Sequence, residues 1–188
     1  MIVHDTGKSK RTTAVLAVVL LVLQLGFAPN IAILGGRANL ALVFVGLTCL
    51  GAQPAHAPWL GFLAGLAYDL CGSGPIGLMA ILLTLTAWVF AVADRPAPTE
   101  DSTGALMAFV PMALVVGVVY AICLLVLGQA ASFVDAVFLR AIPGAVLDCL
   151  AFALASWVLA HTGAGPSSGL SLGAAGRKGS HYSLKRGR

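Results

Sequence analysis

The sequence predicts an all-α polytopic membrane protein of about six transmembrane helices, with both termini cytoplasmic and a short second–third helical hairpin. Three observations carry this. Of 188 residues, 59% are hydrophobic and 10% charged, with a mean hydropathy of +0.96; soluble domains run at roughly 45–50% apolar and about 25% charged. A core of that composition cannot be covered with polar surface in water, and disorder requires the opposite balance. The charges gather at the ends and in one break, and the apolar runs between Gly, Pro and charge number six.

The first run covers residues 13–28 and stops at Pro29-Asn30. It follows Lys8, Lys10 and Arg11 and ends in small residues, as a signal peptide would. Pro29 directly after the only cleavage point argues for an uncleaved first helix. Residues 31–38 form a Gly-containing connection, and the second run, 39–52, is stopped by Gln53-Pro54. The third, 58–70, is closed by Gly72-Ser73-Gly74-Pro75. Because a perpendicular span takes at least about 17 residues, these two are expected to form a hairpin that barely crosses. The fourth run is 76–93, the fifth 104–127, and the sixth 133–161 with Pro143 inside it.

Basic residues in short loops mark the cytoplasmic side. With an even number of crossings, nine of the eleven Lys and Arg fall inside, leaving Arg37 and Arg140 near the outer side. The chain then divides into a cytoplasmic basic N-terminus (1–12), a transmembrane helical domain (13–161) and a flexible Gly/Ser-rich basic cytoplasmic tail (162–188). The tail's five cations are also suited to anionic lipid. The net charge of +4 comes from the two ends and lacks the folded, aromatic-interleaved basic face that nucleic acid requires.

Chemistry-bearing motifs are sparse. Gly169-Leu-Ser-Leu-Gly173 has the serine-hydrolase spacing but lies in the tail with no acid after it. The four cysteines and four histidines are scattered, so no metal, cofactor or catalytic group is expected. The cysteines are read as packing residues.

Two stretches stand out. Gly61, Gly65 and Asp69 are spaced at four, so on a helix they form one stripe drifting about 40° per step. Glycines at that spacing admit a close helix, and an acid there should face protein or a hydrated pocket. The second is Arg140-Ala-Ile-Pro143-Gly-Ala-Val-Leu-Asp148, in which Pro143 can bend the sixth span and Asp148 lies about two turns below Arg140. The third span runs outward and the sixth inward, which puts Asp69 and Arg140 at similar depth and suggests an ion pair. Asp148 is left to be protonated, or to bond with backbone or with Tyr120. Charges that merely lock two helices together are the plainer alternative to a proton relay.

At these motifs the sequence resembles the bacterial rod shape-determining protein MreD family. Gly61-Phe62, Gly65-Leu66 and Asp69 fit the family's G-F-x-x-G-[LF]-x-x-D pattern, followed by Gly72, Gly74 and Gly77. Arg140, Ile142, Pro143 and Leu147 fit its R-x-[IL]-P-x-x-x-[LI]-N run, with Asp148 where Asn is more usual. The resemblance implies a non-enzymatic scaffold of the cell-elongation machinery in the bacterial plasma membrane, serving cell shape and lateral peptidoglycan synthesis. It implies MreC as partner, with MreB and peptidoglycan synthases in the same complex. Gly61, Phe62, Gly65, Asp69, Arg140, Pro143 and Asp148 are the residues expected to bind the partner or pack helices, with the Gly61/Gly65 face receiving a partner helix. Small six-helix substrate-binding subunits of energy-coupling-factor vitamin transporters are the rival reading. A membrane enzyme using Asp69 and Asp148 ranks below both, for want of a His, nucleophile or metal cluster.

Overall fold

A computed structural model describes residues 6–26, 32–33, 36–52, 54–72, 74–93, 97–129 and 132–162. It is all-helical apart from one two-residue antiparallel ribbon. The order is α1 (Thr6–Gly26), β1 (Ala32–Ile33), β2 (Gly36–Arg37), α2 (Leu40–Cys49), α3 (Ala57–Cys71), α4 (Leu78–Val92), α5 (Ser102–Val126), a π-helical segment (Asp135–Ala141) and α6 (Ile142–Thr162). Each of the six predicted apolar runs therefore holds one helix.

The boundaries differ in instructive ways. α1 starts at Thr6, a turn or more before the apolar run, so the helix continues through the basic residues; no proline interrupts it. The sixth run divides. Pro143 lacks the N–H that an α-helical turn would use, and the turn before it is π-helical, with the Ile142 N–H donating to the Val137 carbonyl. The tail from residue 163 onward, the N-terminal five residues and the 94–96 break lie outside the described residues, and with them the Gly169–Gly173 motif and Arg95.

α2 occupies the centre. Every residue from Leu42 to Cys49 is buried, which explains how a helix of 10 residues can be apolar all round. Around it, Phe90 of α4, Phe109 of α5 and Phe152 of α6 stack with centroids 6.3 and 4.2 Å apart. Gly46 lies beneath that stack: a Cβ there would come within 2.7 Å of Phe109 and 2.9 Å of Phe152. The helix thus brings its backbone against the rings, and the site tolerates no larger residue.

The outer surface is also apolar. Val15, Val18 and Val22 on α1, Trp59 and Leu63 on α3, Ile81 and Trp88 on α4, Met107 and Val115 on α5, and Leu150 and Leu154 on α6 all face outward exposed. A water-soluble bundle does not present large side chains in continuous stripes on every surface helix. Ser102–Val126 and Ala136–His161 are long and apolar enough to cross a bilayer; α4, with 15 residues, and α2 are shorter.

α1, α3 and α5 all end, and α2, α4 and α6 all begin, toward the same set of residues: Gln24, Asn39, Asp69, Met79, Tyr120 and Arg140 gather there. The side chain of Gln24 receives the Leu40 N–H at 2.7 Å and donates to the Ala38 carbonyl at 3.4 Å, tying α1 to the start of α2. Asn39 caps α2 by accepting the Leu42 N–H at 3.1 Å.

Candidate functional site

The glycine stripe of α3 is an internal seam. Gly61, Gly65 and Asp69 are all buried, and their neighbour is α4 of the same chain. A Cβ on Gly65 would stand 2.5 Å from Ala80 Cα and from the Met79 carbonyl oxygen, and one on Gly61 would collide with the Leu83 carbonyl and with Ala87 Cβ. The helix packed against the stripe is α4 of the same chain, in the place where a partner helix was expected. Phe62 lies off this face and is exposed.

Asp69, at 3% exposure, ends the seam and closes the start of α4. Its carboxylate accepts the backbone N–H groups of Gly77 at 2.8 Å, Met79 at 3.3 Å and Ala80 at 3.2 Å. The first amides of a helix have no partner of their own and carry the positive end of its dipole, so an acid from the preceding helix satisfies both needs at once. Two glycines make the reversal possible. Gly77 precedes α4 with φ of 97°, a conformation that costs an L-residue strain, and Gly74 leaves room for the Tyr120 hydroxyl, which would stand 2.5 Å from a Cβ.

Asp148, at 5% exposure, is held differently. Of the options expected for it, a backbone hydrogen bond is present: Oδ1 accepts the N–H of Asn39 at 2.5 Å, joining α6 to the start of α2 across 109 residues. Gly144, one turn earlier, eases the approach, since a Cβ there would meet the Arg37 carbonyl oxygen at a tight 3.3 Å. Gly117 of α5 similarly faces the Ala141 carbonyl oxygen at 3.4 Å. Asn39 completes the joint by donating from its side chain to Met79 Sδ at 3.4 Å.

Both aspartates line one cavity of about 520 Å³ at this end of the bundle. Its walls also carry Arg37, Tyr68, Tyr120 and Arg140, with Gly72, Gly74, Gly117 and Gly144 leaving the space open. Asp69 and Arg140 thus line the same chamber. The expected ion pair is replaced: among the described residues, the groups that hold Asp69 are the three α4 amides. Pro143 sits half-buried in the first turn of α6, just below Arg140.

Reasoning from sequence missed Asn39, Tyr68 and Gly144 as site residues. The signal for Asn39 was present, an Asn directly before an apolar run. Nothing local distinguishes Tyr68 or Gly144. The cysteines divide as well: Cys49 is buried, as packing would have it, whereas Cys71 is exposed at the end of α3.

Four described hydroxyls are spent on the backbone of their own helices. Those of Thr48, Thr84 and Thr86 donate to carbonyls four residues earlier, and that of Ser156 to the Ala153 carbonyl. Among the described residues no three His, Cys, Asp or Glu stand together as metal ligands. A second opening, an apolar groove of about 240 Å³, runs between α1, α2 and α3, lined by Ala17, Leu21, Phe44, Leu63, Ala64 and Ala67 among others.

The family model described as rod shape-determining protein MreD matches residues 10–161, nearly the whole helical region. No curated protein and no solved structure matches the chain.

Proposed function

Because the chain belongs to the rod shape-determining protein MreD family, and so is a membrane protein of cell-shape determination, we propose that it acts as a non-enzymatic multi-pass scaffold of the bacterial plasma membrane in lateral peptidoglycan synthesis. The observation that carries this reading is the extent of the family match, residues 10–161, over six apolar helices. The partner is MreC, whose single span brings MreB and the peptidoglycan synthases into the same complex.

The packing supports one surface for that span. With the Gly61/Gly65 seam filled by α4, the apolar groove between α1 and α3 takes its place, since Ala17, Ala64 and Ala67 there allow a helix to approach closely. Co-purification of MreC from membranes tests it. Ala64→Trp and Ala67→Trp should each abolish recovery while the protein remains monodisperse; unchanged recovery removes the groove from the proposal, and failure of the wild type to recover MreC removes the scaffold reading.

Both termini lie in the cytoplasm in this reading, which turns the cavity end outward. Exposed Cys71 reports on that directly. A membrane-impermeant maleimide added to intact cells, with the outer barrier permeabilised, should label Cys71; labelling only after lysis would invert the topology.

One observation favours the transporter-subunit reading, namely the polar cavity with its two tyrosines at one end of the bundle. That reading requires ATP-dependent uptake with a coupling subunit, and stable association with a coupling subunit instead of MreC would establish it.

A further inference from the structure

The cavity has an uneven distribution of satisfied and unsatisfied polar groups. Asp69 needs nothing more, since three amides hold it. Asp148 uses only Oδ1, for the Asn39 N–H. Every fully buried side-chain oxygen and nitrogen among the described residues has a hydrogen-bond partner, so Oδ2, which has none, opens onto the cavity that Asp148 lines. The residue itself is 5% exposed, more than nine-tenths buried, in the apolar interior of a six-helix bundle. A carboxylate oxygen so placed is expensive unless a cation or donor comes to it.

The same cavity also carries the opposite charge. Arg37 and Arg140 are exposed and line its mouth. A guanidinium carries five donors, so one that already has a partner still has N–H groups for an anion. Arg140 and Asp148 are eight residues apart, which on a helix is about 12 Å of depth. Tyr68 and Tyr120 line the same cavity, and aromatic rings and hydroxyls suit an ammonium group.

We propose that this cavity is a binding site for a phosphoethanolamine-type zwitterion, its phosphate at Arg37 and Arg140 and its ammonium on the open oxygen of Asp148. The occupant is the headgroup of a phospholipid drawn from the surrounding leaflet or a soluble molecule with the same headgroup. This assignment does not depend on the scaffold reading, because it rests on the cavity alone.

The test uses the full-length protein, purified in detergent and titrated with short-chain phosphatidylethanolamine, phosphatidylcholine and phosphatidylglycerol, with binding read by native mass spectrometry. Phosphatidylethanolamine should bind saturably at one copy per chain. It should bind roughly tenfold more tightly than phosphatidylcholine, which has no N–H to donate, and than phosphatidylglycerol, which has no cation, as the loss of one charged hydrogen bond implies. Asp148→Asn, which keeps an acceptor for the Asn39 N–H, should abolish that preference, and Arg37→Gln should weaken all three lipids. Equal affinity for the three lipids with the wild-type protein, or the absence of a saturable site, overturns the proposal without reference to any variant. A preference that survives Asp148→Asn in a folded protein overturns it as well. Competition by glycerophosphoethanolamine assigns the site to a soluble ligand, and resistance to it assigns the site to the lipid; either keeps the headgroup chemistry.

Discussion

Asp69 and Asp148 are buried to nearly the same degree, reach the same cavity and end up in opposite conditions. The Asp69 region is a closed device. α3 and α4 are adjacent in the chain, their backbones touch along Gly61 and Gly65, and the acid spends both oxygens on amides that the next helix leaves unpaired. The Asp148 region is assembled from distant pieces. The connection before α2 crosses over Gly144, one N–H reaches the acid, and the remaining oxygen faces open space. A buried charge whose hydrogen bonds are complete is structural. One left incomplete beside a cavity is available to something else.

The contrast can be broken most forcefully at the seam. Gly65→Leu puts a branched side chain where even a Cβ would stand 2.5 Å from Ala80 Cα, and should cost about 3 kcal/mol, read as a lowered unfolding midpoint in detergent. If the midpoint does not fall, α3 and α4 are not in contact there. Asp69→Ala comes next: three donors at the start of α4 lose their acceptor, and the expected loss is about 2–3 kcal/mol by the same measurement. Asp148→Asn should cost less than about 1 kcal/mol, because the carboxamide oxygen still receives the Asn39 N–H. A loss as large as that of Asp69→Ala would make the two acids equivalent and end the comparison.

The smallest effect is a coupling. Asp69→Asn and Arg140→Gln should destabilise additively, within about 0.5 kcal/mol, since the acid is held by amides and not by the guanidinium. A coupling above that value would restore the ion pair between the two helices.

How much of this was legible beforehand differs from residue to residue. Asp69 was singled out by position, as an acid at the end of a glycine stripe, and the stripe's close packing followed from its spacing. Its partner did not, although the amides lie only eight to eleven residues further along the chain. Gly72, Gly74 and Gly77 announced a turn; that the turn aims the first amides of α4 back at Asp69 depends on a positive φ at Gly77. Pro143 was read as able to bend the last span; what the sequence did not show is the π-helical turn that precedes it. Phe62 shares a motif with Gly61 yet faces away from the seam, since neighbours in sequence lie about 100° apart around a helix.

By itself the sequence determined the solvent, the number of helices, the breaks between them and the few residues too polar to be there without a reason. Those follow from composition and from local rules of Gly, Pro and charge, which act within a turn or two of chain. Only the tertiary structure decided which helix fills the glycine groove, which amides hold Asp69, and that Arg37, Tyr68, Tyr120, Arg140 and Asp148 open onto one chamber. Periodicity reports the face on which a residue sits. It carries no information about what stands opposite that face, because that is set by how six helices of unequal length pack around the shortest one at their centre.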